Sequence, residues 1–250
     1  AVIDPGPDDP THLEAILHAC APGRISTILV THAHLDHSPL AAALSAATGA
    51  PVVAFSDFSG GRSPVMQRLA TSGLMGGGEG VDRSFVPDRT LSDGEVVTSQ
   101  EWEITALHTP GHFGNHMAFA LGDLLFSGDL VMGWASSLVS PPDGDLTDFM
   151  ASCRRLQSHN WTRFFPGHGA PIDDPAGRLN WLISHRLSRE IALIAALKDG
   201  PATAAALAER IYTDTPKSLM PAANRNVLAH MIDLYGKNTV EPIDDLSADT

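Results

Sequence analysis

Thr31-His32-Ala33-His34-Leu35-Asp36-His37 gathers three imidazoles and a carboxylate within six positions. The apolar run 25–30 precedes it, and residues 38–48 after it read as a helix that stops at Gly49. Histidines alternating at a strand end, followed by a turn, send two side chains one way and two another. Four such groups are costly to desolvate, so an ordinary core would not collect them. Neutral imidazole and carboxylate together suit zinc, iron or manganese. The stretch therefore predicts a strand–turn–helix unit with a metal site at its end, within a layered α/β fold.

Three later segments repeat the design. Thr109-Pro110-Gly111-His112, Ser127-Gly128-Asp129 and Pro166-Gly167-His168-Gly169 each place one further ligand at the end of an expected strand. With the first stretch they compose HxHxDH, then His, Asp and His, across residues 31–169. In this the chain resembles the metallo-β-lactamase superfamily of hydrolases. The resemblance implies a four-layer αββα sandwich, with its first strands absent ahead of the short segment Val2-Ile3 before Asp4-Pro5-Gly6. It also implies His32, His34 and His112 on one metal, Asp36, His37 and His168 on a second, and Asp129 bridging both. The expected cofactor is a pair of zinc ions, with iron or manganese compatible. A hydroxide shared by the two ions would be the nucleophile, oriented by Asp36 as the catalytic residue. The ring nitrogens facing away from metal need partners, and Asp4, Asp57 and backbone carbonyls are the candidates.

Other histidines carry less. His116, four residues after His112, is on a strand, where that spacing does not bring it to the same place. It reads as a hydrogen-bonded structural group, with a substrate or proton-transfer role as the alternative. His108 reads as packed at a strand end. Trp134, Ser136 and Ser137 follow Asp129 closely enough to border a substrate pocket, although an aromatic there suits the core equally.

The remaining pattern fills in the architecture. A helix starts near Asp9 and Thr11 and runs to about Cys20, with Pro10 in its first turn. Strands are expected over 51–55, 96–99, 102–107, 116–121, 123–126 and 162–165, with a tight turn at Leu121-Gly122-Asp123. Helices are expected over 145–156, 178–197, 202–212 and 221–234. Residues 59–80 hold seven glycines and no clear period, and read as a mobile flap near the metal site, with a plain solvent loop as the alternative. Residues 236–243 suit a short hairpin or extended wing.

Composition sets limits. The 250 residues are 43% hydrophobic, enough for a sizeable core. No stretch approaches the roughly eighteen apolar residues of a membrane span, so no membrane partner is expected. Cys20 and Cys153 stand in no metal-type spacing and read as core thiols, which points to a cytoplasmic location. The formal charge is −13. Residues 1–174 carry 8 basic and 20 acidic side chains, whereas residues 175–230 carry 7 and 4. The acidic body opposes a broad nucleic-acid footprint.

Two domains follow, a catalytic one over 1–174 and a small helical winged-helix-like one over 175–250. That tail resembles the endoribonuclease-like branch of the superfamily typified by β-lactamase-like protein 2. The substrate is accordingly either single-stranded RNA, with Arg178, Arg186, Arg189, Lys217 and Arg225 facing it, or a small-molecule thioester or lactone. A metal-stabilised binding module without catalysis is the third reading. Fewer than forty residues separate Asp129 from His168, which excludes nucleases with a large inserted domain there.

Overall fold

The computed structural model describes residues 1–21, 23–77, 80–244 and 246. Two sheets lie face to face between helices. The first is all parallel, in the order β1 (Val2–Ile3), β2 (Ile28–Leu29), β3 (Val52–Ala54) and β4 (Arg89–Thr90). The second joins β5 (Val96–Thr98), β6 (Glu103–His108), β7 (Met117–Leu121), β8 (Leu124–Gly128) and β9 (Arg163–Pro166), antiparallel except for the β8–β9 pair. The β7–β8 turn places Gly122 at φ 61°, a left-handed conformation that glycine adopts without strain.

Three apolar layers hold these sheets in place. Between the sheets, Leu29 and Val53 meet Val97, Ile104, Ala106, Met117 and Phe119. Outside the first sheet, α1 (Pro10–Ala19) and α2 (Leu40–Thr48) bring Leu13, Ile16 and Leu44 against Ile28, Val30 and Val52. Outside the second, α4 (Leu146–Gln157) and α5 (Pro175–Leu197) press Phe149, Leu156, Leu179 and Leu182 onto Leu107, Ala118, Leu125 and Phe164. The four-layer αββα sandwich expected from the resemblance is therefore present. Parallel strands buried on both faces explain the apolar run Ile28-Leu29-Val30.

Local chemistry sets the helix ends. Asp9 caps α1 by accepting from the Thr11 amide, and Asp145 caps α4 through Thr147. Asp174 accepts from Gly177 with Pro175 at the first turn, so α5 starts before Arg178.

Residues 59–80 depart from the expected loop. They contain α3 (Pro64–Thr71), capped by Ser63 and started by Pro64, with Met66 and Leu69 buried three residues apart. The glycines flanking this helix hide its period. A short α6 (Ala204–Ile211) and a long α7 (Met220–Gly236) complete the chain, packing Leu207, Ala208, Val227 and Leu234 with Leu193 of α5. The hairpin expected over 236–243 is not formed among the described residues. Instead the Thr239 amide returns to Leu234 O at 2.9 Å and ends α7 in a turn, with Asn238 at φ 54°. No helix among the described residues is long and apolar enough to cross a membrane.

His230 on α7 is 1% exposed, and neither ring nitrogen has a hydrogen-bond partner. Burial, with help from Arg186, Lys237, His185 and Arg189, pushes its pKa down to about 3. The unfolded chain takes up this proton near the ordinary 6.5. Between those values the unfolded state binds more protons, so stability declines as pH falls through the window. His230→Leu should remove that contribution. Between pH 7 and pH 5 the variant is expected to lose about 2 kcal/mol less unfolding free energy than the wild type in urea titrations. The same decline in both proteins would contradict neutral burial of His230.

Candidate metal centre

The side chains of the cluster leave from segments that follow strand ends. Beyond β2, Thr31 turns the chain so that His32 and His34 alternate inward, and the amides of His37 and Ser38 then close a turn on His34 O. His112 follows β6 through Gly111, whose φ of 138° and contact with the Phe149 backbone leave no room for a side chain. Asp129 follows β8, and His168 follows β9. At Gly167 a Cβ would lie 2.4 Å from Asp129 Oδ1 and 2.8 Å from the His37 ring. The glycine before His168 is thus a requirement of close approach.

These seven side chains converge in two groups. His32 Nε2 lies 2.9 Å from His34 Nδ1, which lies 3.2 Å from His112 Nε2. Asp36 Oδ2 lies 3.0 Å from His168 Nε2 and 3.5 Å from His37 Nε2. Asp129 Oδ2 stands between the groups, 3.3 Å from His168, 3.6 Å from His37 and 3.8 Å from His112. The first group is buried. On the other side the His168 and Asp36 side chains are 40% and 28% exposed, so the cluster opens to solvent there.

The donor chemistry fits cations. Tetrahedral nitrogen ligands at zinc distances are about 3.3 Å apart, close to the separations in the first group. His34 Nδ1 is approached by two imidazole nitrogens, and one ring proton cannot satisfy both. Asp36 Oδ1 and Asp129 Oδ1 are buried without a hydrogen-bond partner. Burial, reinforced by the neighbouring imidazoles, keeps His32 well below its ordinary range and takes His34 down to about 2. Both therefore present lone pairs at neutral pH. Burial disfavours charge at His37 too, but Asp4 and Asp129 outweigh it and raise its pKa. Burial likewise opposes ionisation of Asp129, yet hydrogen bonds from His168 and His37 hold it far below the usual carboxylate range.

Outer partners fix the rings. Asp4 Oδ2 accepts from His37 Nδ1 at 2.8 Å and from Thr31 Oγ1 at 2.7 Å, while Asp4 Oδ1 accepts from the Thr31 amide at 2.7 Å. Asp4 is also within ligand reach of His32 and His37. With both oxygens engaged, it acts as an anchor. His32 Nδ1 meets Thr31 Oγ1 at 2.9 Å, and His112 Nδ1 donates to Leu138 O at 2.7 Å. Asp57, the other carboxylate expected to support a ligand, instead accepts from the Ser59 amide and hydroxyl. Leu138 is not legible in the sequence, because a backbone carbonyl leaves no mark there. Thr31 stands within the first stretch, yet nothing in its spacing distinguishes it as the shared anchor.

His116 is fully buried and structural. Its Nε2 accepts from the Asp129 amide at 3.1 Å, and its Nδ1 meets Thr109 Oγ1 at 2.9 Å. His108 is stacked on Phe55 with ring centres 3.8 Å apart. Trp134 is 71% exposed beside Gly169, so it is not core. A cavity of about 480 Å³ adjoins Asp36, His37 and His168 and has apolar walls at Ile3, Trp102, Ile104, Phe126 and Phe165. Thr31 and Gly128 also line it, whereas His32, His34 and His112 do not.

The arginines expected to face an anionic substrate do not form a free cationic wall. Arg178 donates to Met132 O and Ala135 O, and Arg225 to Ser140 Oγ, Met75 O and Pro141 O. Arg186 is buried, and Arg189 lies over the Tyr212 ring. Their guanidinium groups tie backbone together, a role that charge counting cannot distinguish from a solvated face.

Asp4→Asn tests the anchoring of His37. The variant keeps an acceptor for Thr31 but turns an amide N–H toward the His37 Nδ1 proton. Metal affinity, measured by competition with a chromophoric chelator, is expected to weaken about 10–100-fold with the fold retained. Unchanged affinity would contradict this role for Asp4.

Comparison with known proteins agrees with the geometry. Residues 1–170 match the model of the metallo-beta-lactamase superfamily, and residues 203–245 that of the beta-lactamase associated winged helix domain. A beta-lactamase-like protein 2 homolog of Drosophila melanogaster is 31% identical over 148 residues, covering 58% of this chain and 49% of that protein. An atrochrysone carboxyl ACP thioesterase of Aspergillus fumigatus is 29% identical over 231 residues, covering 86% of this chain and 63% of that one. The chain thus spans about half to two thirds of the length of these relatives. A crystal structure of a metallo-beta-lactamase family protein from Thermus thermophilus superposes with a TM-score of 0.74 at 27% identity, covering 96% of this chain and 85% of that one. The chain belongs to the metallo-beta-lactamase superfamily and carries a beta-lactamase-associated winged helix domain toward its C-terminal end.

Proposed function

We propose that this protein is a dinuclear metal-dependent hydrolase of small-molecule thioesters or esters. The observation that carries the reading is the position of Asp129 Oδ2 between two three-residue groups, within 3.3–3.8 Å of a nitrogen from each. His32, His34 and His112 would hold one ion and Asp36, His37 and His168 the other, with Asp129 placed between the two groups. Zinc suits the nitrogen-rich set, and iron or manganese is compatible with it. When bound, such a pair supplies an activated water and a Lewis acid for the attacked carbonyl.

The side chains then divide the remaining work. Asp36, on the open side, accepts a hydrogen bond from the attacking water and aims it at the substrate. Asp129 offsets cationic charge with a carboxylate that stays ionised. Residues 1–174 form the catalytic domain and residues 175–250 the winged-helix-like unit.

Two observations favour the thioester or ester over RNA. Arg178, Arg186 and Arg225 are committed to carbonyl oxygens. The similarity that extends over 231 residues is to a protein named as a thioesterase. Cleavage of single-stranded RNA is the second reading, favoured by the basic balance of residues 175–230.

The test is turnover of a panel of thioesters, esters, phosphodiesters and single-stranded RNA by the metal-loaded protein. Thioester or ester hydrolysis is expected, with Asp36→Ala slower by about a hundredfold or more. RNA cleavage that weakens steeply with added salt would favour the second reading. Normal turnover by Asp36→Ala at full metal occupancy would contradict the role given to Asp36.

A further inference from the structure

The loop between Asp129 and α4 carries Leu138 O, the acceptor for His112 Nδ1. The peptide groups on both sides of this residue are held from the C-terminal helices. Ser137 O accepts from Arg186 Nη2. The Val139 amide donates to Asn226 Oδ1 at 3.1 Å, and Arg186 Nη1 donates to the same oxygen at 2.9 Å. Ser137 Oγ in turn donates to Leu130 O at 3.0 Å, next to Asp129.

Arg186 is only 1% exposed, with its guanidinium 5.1 Å from the Phe149 ring centre. Burying a cation is costly, and an apolar side chain would fill this space without that penalty. What the guanidinium adds is a planar fork that fixes two acceptors relative to one another. One acceptor is Ser137 O, and the other, Asn226 Oδ1, receives the Val139 amide, so both peptide groups of Leu138 are held.

We propose that Arg186 and Asn226 form a positioning pair for His112, holding Leu138 O so that the ring keeps its proton on Nδ1 and points Nε2 at His32 and His34. Neither residue touches a reacting atom. The winged-helix unit is, on this account, a structural part of one metal site. The inference rests on the metal reading given above.

The experiment strips the full-length protein with chelator and titrates zinc back against a chromophoric competitor. Asn226→Ala removes the shared acceptor and should weaken one of two zinc sites about tenfold while leaving the other unchanged. Asn226→Asp keeps the acceptor and should restore the lost affinity. Arg186→Lys keeps the charge but loses the fork, and should reproduce the one-sided loss. In a His112→Ala background, Asn226→Ala should have no further effect on zinc affinity. Thr147→Val breaks another contact between α4 and α7, the 2.7 Å bond to Asp233, and should leave both sites intact. Equal weakening of both sites, no weakening, or a loss that persists without His112 would overturn the proposal. A wild-type protein that binds no zinc, iron or manganese would instead overturn the metal reading, and this inference with it.

Discussion

Ring nitrogens facing one another at about 3 Å, with only one proton available between neighbours, define this molecule. His34 Nδ1 confronts two imidazole nitrogens, and one ring proton cannot satisfy both. A cation at the centre would convert that repulsion into ligation, and burial, with the neighbouring imidazoles, already keeps His32 and His34 unprotonated. The fold then serves to bring four strand ends together. Gly111 and Gly167 give the backbone the closeness that a Cβ would forbid.

Around this centre, support is layered. Asp4 joins β1 to the first histidine stretch through Thr31 and His37, so the parallel sheet braces its own ligand turn. His116 holds the amide of Asp129 and links β7 to the carboxylate between the two groups. The C-terminal helices brace the opposite side through Arg178, Arg186 and Arg225, which grip the loop after Asp129 by its carbonyls. Removing an arginine from such a place leaves several acceptors unpaired, so its effect reaches beyond the loss of one charge.

The convergent side chains are legible in the sequence because metal chemistry would restrict residue type and strand ends restrict position. HxHxDH and the three glycine-containing segments therefore identified the sandwich and the convergent side chains together. Elements defined by tertiary contact were less visible. Met66 and Leu69 give α3 only two buried positions amid glycines, and β4 pairs over just Arg89 and Thr90, both exposed. Of the short hairpin or extended wing expected over 236–243, the hairpin is not formed among the described residues, because a turn first satisfies the end of α7. The arginines were misread for a general reason. A sequence records where a guanidinium is, but not whether a carboxylate, a phosphate or a backbone oxygen receives its hydrogen bonds.

The claim at the centre of this account is that two cations share Asp129. Anomalous diffraction at the zinc edge, from crystals of the zinc-loaded protein, addresses it directly. The account predicts two peaks roughly 3.5–4 Å apart, one among His32, His34 and His112 and the other among Asp36, His37 and His168, with Asp129 touching both. A single peak, or two peaks with Asp129 bound to neither or to only one, would contradict it.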